Sequence, residues 1–431
     1  MKFSLHLLGD FYSFQKGLGY LGKYLKPSEV ALVGLNSFEG GGGYKFGGEK
    51  QYSGPYKVEH LANPGDLFIS TTDITQDGRV LASPFLMPNL GDSYKCAIYS
   101  GDIVKATPKS DLLLPEFLYN VLRVKQYRQK AAYASTGSTV RRIPIEVLER
   151  LQVPVPPRSV QLAIAKQIEL IDKKISVNTE ISNQLEQIAQ KIFESWFVDF
   201  YPVQVKSLGE RPEGMDSEIA DLFPDSFQDT EIGQIPAGWS VVPLTDIAEF
   251  LNGLALQKFP PVEGEYNLPV IKIPQLKSGV SGGSGEASSQ IPQKYIVEDG
   301  DILFSWSGAL EVVLWAGGHG ALNQHLFKVI PKSFPKWFSF HWTLRHLPNF
   351  REIAASKATT MGHIQRAHLT EALCAVPSGS ILDSASETIQ PILDASVARR
   401  VENRTLISIR DSLLPRLISG ELTIPENLLE Q

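Results

Sequence analysis

The stretch PGDLFIS, Pro64 to Ser70, returns 235 residues later as DGDILFS, Asp299 to Ser305. Each reads as a glycine turn running into a short apolar strand. Three further matches keep the same order along the chain. GDFYSFQKGL (Gly9 to Leu18) resembles TDIAEFLNGL (Thr245 to Leu254) at an offset of 236. PKS at Pro108 returns at Pro331, and the helical stretch behind it keeps that offset of 223. STVRRIPIEVLERLQVPVP (Ser138 to Pro156) lines up with TTMGHIQRAHLTEALCAVP (Thr359 to Pro377) at 221. Offsets that drift only by plausible loop changes predict a duplicated unit.

Each copy has two parts. The first is mixed, with short strand-like runs such as DLFIS, CAIYSGDIVKA and GDILFSWSG, followed by PEFLYNVLRVKQYRQKAA or PKWFSFHWTLRHLPNFREIA, which read as helical. The second part is a long helix. In copy one Ile168, Ile171, Ile175, Ile181, Leu185, Ile188, Ile192 and Trp196 follow three-four spacing, with Asn178 in the seam. Copy two gives Ile389, Ile392, Leu406, Ile409, Leu413 and Leu417, a seam made more polar by Ser396 and Arg399. Such a seam predicts coiled-coil-like pairing. VPVPP (Val153 to Pro157) and AVPSG (Ala375 to Gly379) lead into the helices, since proline stops a strand and suits a helix's first turn.

The first helix ends on KIFESWFVDFYPV, Lys191 to Val203. Phe193 and Phe197, repeated as Leu414 and Ile418, widen the apolar face beyond what two paired helices require. The surplus predicts a packing surface for the second mixed domain or a partner. Asp199 marks the exit into an acidic linker, with Pro202 breaking the helix. The expected boundaries are 1–152 and 237–376 for the mixed domains, 153–200 and 377–420 for the helices, and 201–236 for a solvated linker.

Length and composition bound this reading. A chain of 431 residues exceeds one ordinary core, and 43% apolar with 20% charged residues fits a globular protein. No apolar run approaches the roughly 20 residues that span a bilayer. With Cys96 and Cys374 as its two cysteines, the chain carries no disulfide framework, and a reducing cytoplasm is the expectation. The net charge of −6 hides its distribution. From Asp199 to Glu231 nine acids face Lys206 and Arg211, whereas residues 1–150 hold 18 Lys/Arg against 14 Asp/Glu. Arg123, Lys125, Arg128, Lys130, Arg141 and Arg142 follow one another with no acid between them. Lys328, Lys332, Lys336, Arg345, Arg351, Lys357 and Arg366 are diluted only by Glu352. Local basic fields attract a phosphate backbone whatever the global charge.

Catalytic motifs are missing. GLGYLGKY (Gly17 to Tyr24) has the spacing of a phosphate loop, yet Tyr24 stands where a magnesium-binding hydroxyl belongs. HGALNQH and HIQRAH lack the pairing of a zinc site. No nucleophile elbow, paired-carboxylate nuclease motif or base-methylation motif is present.

Two mixed domains, basic in places, on long helices of 35 to 40 residues suggest two heads on a spacer. Packed antiparallel, the helices would form a rod of roughly 55 Å at 1.5 Å per residue and relate the heads by a pseudo-twofold. Duplex DNA repeats its groove about every 34 Å, so such heads can read separate half-sites. A coiled-coil scaffold that binds no DNA is the rival from another class.

LQVPVPPRSVQLAIAKQIELIDKKI with KIFESWFVDFYPV, the linker GMDSEIADLFPDSF with EIGQIPAGWSVVPL, and LISIRDSLLPRLISGEL together resemble the specificity (S) subunit of type I restriction-modification enzymes. The resemblance covers nearly the whole chain, though the Pro-Leu-x-x-Gln-type helix start becomes PPRSVQ and PSGSIL. It implies an α+β protein: two mixed α/β target-recognition domains joined by two long antiparallel spacer helices. It implies a non-catalytic reader of double-stranded DNA, each domain taking one half of a bipartite site. Two methylation (M) subunits would bind the spacer helices, and restriction (R) subunits would join them. S-adenosylmethionine, ATP and Mg would lie on those partners, with no cofactor, metal or membrane contact on this chain. The specificity module of another bipartite restriction system is the near alternative.

On this reading phosphate contacts are expected from Lys125, Arg128, Lys130, Arg141 and Arg142, then Arg345, Arg351, Lys357 and Arg366. In TGSTVRR and ATTMGH, Ser138, Thr139, Thr359 and Thr360 are small hydroxyls that let the backbone approach phosphates closely. Base-edge readers belong on loops such as Gly41 to Tyr52 or Ser278 to Ser289. Spacer packing is expected from Ile168, Ile171, Ile175, Leu185, Ile188, Ile192, Trp196, Phe197, Leu406, Leu413 and Leu417.

Overall fold

The computed structural model describes residues 3–73, 80–137, 140–280, 284–356 and 362–425. The chain divides into two compact units: Met1–Lys173 with Leu406–Gln431, and Lys174–Thr405.

The first unit holds β1 (Tyr12–Lys16), β2 (Val30–Val33), β3 (Leu67–Ser70), β4 (Pro84–Leu86), β5 (Cys96–Tyr99) and β6 (Ile103–Pro108). An antiparallel sheet runs β1-β6-β3-β4, with Tyr12 opposite Pro108, and Leu67 opposite both Ala106 and Leu86. β2 and β5 pair in parallel, Val30 with Cys96 through Val33 with Tyr99. All four residues of β3 are buried because both faces of its sheet are covered. Leu67 and Ile69 face a cluster with Phe117 and Leu118, while Phe68 faces Phe85 and Tyr99. Two helices follow, α1 (Pro115–Arg123) and α2 (Lys125–Tyr133). They part at Val124, which is extended (φ −69°, ψ 122°) and buried. The long helix α3 (Arg158–Phe193) begins directly after Pro156 and Pro157.

The second unit repeats the plan with β7 (Ala248–Asn252), β8 (Asn267–Ile271), β9 (Ile302–Ser305), β10 (Val312–Leu314), β11 (Gly320–Leu322) and β12 (Leu326–Pro331). Its antiparallel sheet runs β7-β12-β9-β10, and β8 pairs in parallel with β11. Each strand therefore takes the place of the one numbered six lower. The sides match too: Ile302 and Phe304 face the cluster of Trp337 and Phe338, while Leu303 faces Ile271 and Trp315. α4 (Lys336–Ser356) and the second long helix α5 (Gly379–Ile418) complete the set.

The repeated Gly-Asp earns its place in both units. Gly65 and Gly300 each sit at φ +87°, a conformation that favours glycine. Behind them Asp66 Oδ2 accepts from Asn63 N at 2.7 Å, and Asp301 Oδ2 from Glu298 N at 2.8 Å. The same carboxylates take Lys105 Nζ at 2.6 Å and Lys328 Nζ at 2.7 Å. One turn, one cap and one ion pair thus recur together. Gly17 and Gly253 are equivalent as well. A Cβ on either would lie 2.3 Å from Tyr99 O or 2.2 Å from Asn323 O, so nothing larger fits.

Both long helices contribute to both units. In the first, Ile164 and Ile168 of α3 with Leu414 and Ile418 of α5 join the cluster around Phe117 and Val121. In the second, Ala189 and Phe193 of α3 and the following Phe197 join Ile381, Ala385 and Ile389 of α5 in the cluster around Trp337 and Phe338. There Asn178 Nδ2 donates to Glu402 at 2.9 Å and Ser182 bonds Ser396 at 2.8 Å. Partner numbers fall as α3 rises, so the helices are antiparallel in this stretch.

The seam differs in detail from the three-four count. Ile188 is 48% exposed, and Ala189 takes the buried position beside it. Asn178 and Ser182 are buried in mid-seam, which shifts the apolar line one residue towards Phe193 and Phe197. Ile171, Ile175, Leu185, Leu406 and Leu413 are half-buried. Ile192 and Trp196 are half-buried against the second unit's core, and Leu417 against the first unit's. Pro202 opens a new helix, Tyr201–Ser207, because proline suits a first turn, and the turn into it is made by Phe200 at φ +55°. The acidic linker is also ordered in part: Phe223 and Ile235 are buried in the second unit's core, and Phe227–Thr230 pairs with Gly233–Pro236. Its apolar residues, overlooked among the acids, explain why. Among the described residues no helix is long and apolar enough to cross a membrane.

Candidate nucleic-acid interface

The two duplicated segments singled out for phosphate contacts meet the same element in each unit. In the first, the chain leaves β3 through Thr71, whose N–H donates to Asp102 O at 3.2 Å. Thr72 and Asp73 then pair antiparallel with Arg142 and Arg141, and Ile143 N returns to Thr71 O at 2.8 Å. Thr136 and Arg142 exchange two backbone hydrogen bonds of 2.9 Å, closing a small hairpin. Gly137 turns it at φ +98°.

The second unit repeats the bonds made through Thr71 and the pairing beside it. Trp306 N donates to His325 O at 3.4 Å, Ser307 bridges His363, and Ile364 N donates to Trp306 O at 3.0 Å. The side chains on it are unlike. Where Thr71 bonds Asp102 O through its hydroxyl (3.1 Å), Trp306 donates from Nε1 to Asn252 Oδ1 at 3.0 Å and Gln324 O at 3.2 Å. The Trp306 ring lies 5.8 Å from His325, 6.0 Å from Phe327 and 6.3 Å from His363. Ser307 Oγ and His325 Nδ1 are 3.1 Å apart. In the first unit Asp73 is buried and accepts from Val80 N and Leu81 N at 2.9 and 3.1 Å.

The expected cations fall into two groups. Lys125, Lys130, Arg142 and Arg345 are exposed and make no ion pair among the described residues, although Lys130 lies 5.6 Å over the Tyr127 ring. Arg366 is exposed yet lies 5.8 Å over Phe327. Arg141 and Arg351 are engaged and Arg128 is half-buried. Arg141 donates to Ala132 O at 2.9 Å and to Ser135 Oγ at 2.8 Å, tying the hairpin to the end of α2. Arg351 donates to Leu310 O at 2.9 Å and reaches Glu311 at 3.3 Å. Burial lowers the Arg128 pKa, and its guanidinium lies 3.4 Å from where a Cβ on Gly41 would sit. Ser138, Thr139, Lys357, Thr359 and Thr360 lie outside the described residues.

Arg123, the first cation of the basic run, is wholly structural. It grips Asp172 of α3 at 2.6 and 3.1 Å, and Arg410 of α5 reaches the same carboxylate at 2.8 Å. Burial alone would raise the Asp172 pKa, but the bonds and charges of the two arginines hold it below the usual carboxylate range. Glu39, in the glycine-rich loop, is pushed up by burial against the pull of Arg410 and Arg123. That loop packs on β4, with Gly43 N donating to Pro84 O at 2.9 Å. The phosphate-loop-like stretch makes one 3₁₀ turn, Gly22–Tyr24, and starts no helix. Among the described residues no group of three or more His, Cys, Asp or Glu could hold a metal ion.

A family model described as Type I restriction modification DNA specificity domain matches residues 38–187 and 236–379. The chain is 25% identical over 369 residues to the Type I restriction enzyme HindI specificity subunit of Haemophilus influenzae, covering 73% of this chain and 79% of that one. It is 26% identical over 336 residues to the MjaIX specificity subunit of Methanocaldococcus jannaschii, covering 73% and 71%. Among solved structures it resembles the type I restriction-modification S subunit from M. genitalium, with a TM-score of 0.53 at 14% identity over 99% of this chain and 97% of that one. At that identity the likeness speaks for the fold.

Proposed function

The chain belongs to the type I restriction modification DNA specificity family, and from that premise we propose that each unit reads one half of a bipartite site in double-stranded DNA. As a specificity subunit of a type I restriction-modification system, its task is to choose the sequence on which other subunits act. The observation that carries the half-site reading is the repeated frame after β3 and β9. The backbone bonds made by Thr71 and Trp306 are the same, while Thr71 and Asp102 are exchanged for Trp306 and His325. A shared scaffold with unlike side chains at one edge is what two readers of different sequences need, because base edges are distinguished by the donors and acceptors offered to them. The exposed Lys125, Lys130, Arg142, Arg345 and Arg366 supply sequence-blind phosphate attraction.

In this reading α3 and α5 are spacer helices related by a pseudo-twofold, with the mixed domains and boundaries set out from the sequence. Their 36 and 40 residues correspond to roughly 54 and 60 Å of helix at 1.5 Å per residue. Two methylation subunits bind the helices and bring S-adenosylmethionine. Restriction subunits with ATP and Mg join the same cytoplasmic complex, and the chain itself catalyses nothing. The test is exchange of residues 1–150 for the corresponding domain of another family member. One half of the methylated sequence should change. A change in both halves, or in neither, contradicts the half-site reading.

A further inference from the structure

Resting on that reading, we propose that His325 reads a purine in the half-site of the second unit, with Trp306 as the residue that positions it. A base reader must be held still, because a hydrogen bond to a base edge discriminates only in one geometry. His325 meets this requirement twice. Its Nδ1 is 3.1 Å from Ser307 Oγ, and its ring packs at 5.8 Å against Trp306. Trp306 is itself pinned through Nε1 to Asn252 Oδ1 and Gln324 O.

Neither residue belongs to the core: both are half-buried, whereas Phe304 and Phe327 beneath them are buried. With Nδ1 engaged, the ring makes no further hydrogen bond among the described residues, and Nε2 is left to meet a ligand. A serine hydroxyl can accept from Nδ1 or donate to it, so Nε2 can take either role. As a donor it suits N7 of a purine or O6 of guanine, the acceptors a major groove offers. Arg366, over Phe327 next to Trp306, adds the positive charge that draws a backbone to this edge. In the first unit the same two positions hold Thr71 and Asp102. Asp102 can accept from cytosine N4 and cannot donate to a purine, so the two units differ in sign here when His325 Nε2 carries the proton, the tautomer in which Ser307 Oγ donates to Nδ1.

The test uses the chain with its methylation subunits and the sequence they methylate in cells. Duplexes each carrying one base-pair change are compared for binding at fixed salt. For His325→Ala, discrimination at one position, or two adjacent ones, in the second half should fall from about tenfold or more to below about threefold. Every other position should hold within about twofold. Trp306→Phe keeps a ring but loses the Nε1 anchor, and should weaken discrimination at the same position by less. A uniform loss at all positions would mark His325 as merely structural. Discrimination unchanged everywhere, or changed in the first half, overturns the proposal equally. Exchange of residues 1–150 separates the two ideas: if exchange alters one half as expected while His325→Ala alters no position, this inference alone is wrong.

Discussion

At equivalent positions the long helices bury Phe193 and Phe197 in the second unit but Leu414 and Ile418 in the first. The aromatic pair stacks at 5.6 Å, and Phe193 lies 5.0 Å from His341 while Phe197 lies 5.3 Å from Trp337. The aliphatic pair meets smaller neighbours, Phe117, Leu118 and Val121 among them. Ionic clasps serve both units: Arg123 and Arg410 close on Asp172 in the first, and Arg404 of α5 takes Asp299 at 2.7 and 2.8 Å in the second. A duplicated frame can therefore change what fills it, so long as each helix end still meets a closed core. The same freedom operates at the sheet edge, where the exchange is between Thr71 and Trp306.

The sharpest way to break this comparison is to hollow out each core in turn. Phe197→Ala should cost about 4 kcal/mol and Ile418→Ala about 3, both by leaving a cavity. Hydrogen exchange should place the lost protection in the second unit for the first variant and in the first unit for the other. Loss spread evenly over both units would deny that each core is its own.

Next comes the clasp. Asp172→Asn leaves two arginines facing a neutral group and should cost roughly 3 kcal/mol at neutral pH. The sign with pH follows from the depressed carboxyl. Its stabilisation is present above the unfolded value of about 3.9 and is lost as pH falls through the lower folded value. The gap between wild type and Asp172→Asn should narrow below about pH 4 in urea titrations. A gap that stays constant to the most acid point would remove the carboxylate's charge from the account.

The smallest effects separate the two arginines of the hairpin. Arg142→Ala should leave stability within about 0.5 kcal/mol and make the salt dependence of duplex binding shallower by about one unit of slope. Arg141→Ala loses bonds to Ser135 and Ala132 and should cost about 1 kcal/mol with little change in slope. Swapped outcomes would reverse their roles.

Much of the fold was legible because the duplication is written in the sequence. The Gly-Asp turns, the prolines before the long helices and the apolar seam follow from residue type and spacing, whereas the antiparallel sense of the helices does not. Ile188 misled because a three-four count cannot say which of two adjacent lines is buried when Asn178 and Ser182 occupy the better one. Phe223 and Ile235 were hidden by the charge around them. The site was less legible. A run of cations announces phosphate binding, yet Arg123, Arg141 and Arg351 find carboxylates and carbonyls that only folding brings near. Trp306 could have been noticed by sliding the repeat one residue past Ser70 and Ser305, where STTD faces SWSG, and His325 by carrying the 223 offset back from Pro108 to Asp102. The backbone match ends there in sequence but continues in hydrogen bonds.

The most direct measurement is sequencing of methylated bases in cells that carry this chain together with the methylation subunits proposed for it. A chain with two diverged copies of one frame predicts an asymmetric motif of two specified halves separated by a fixed unspecified gap. A continuous motif, a palindrome with identical halves, or methylation unchanged when the chain is deleted would contradict it.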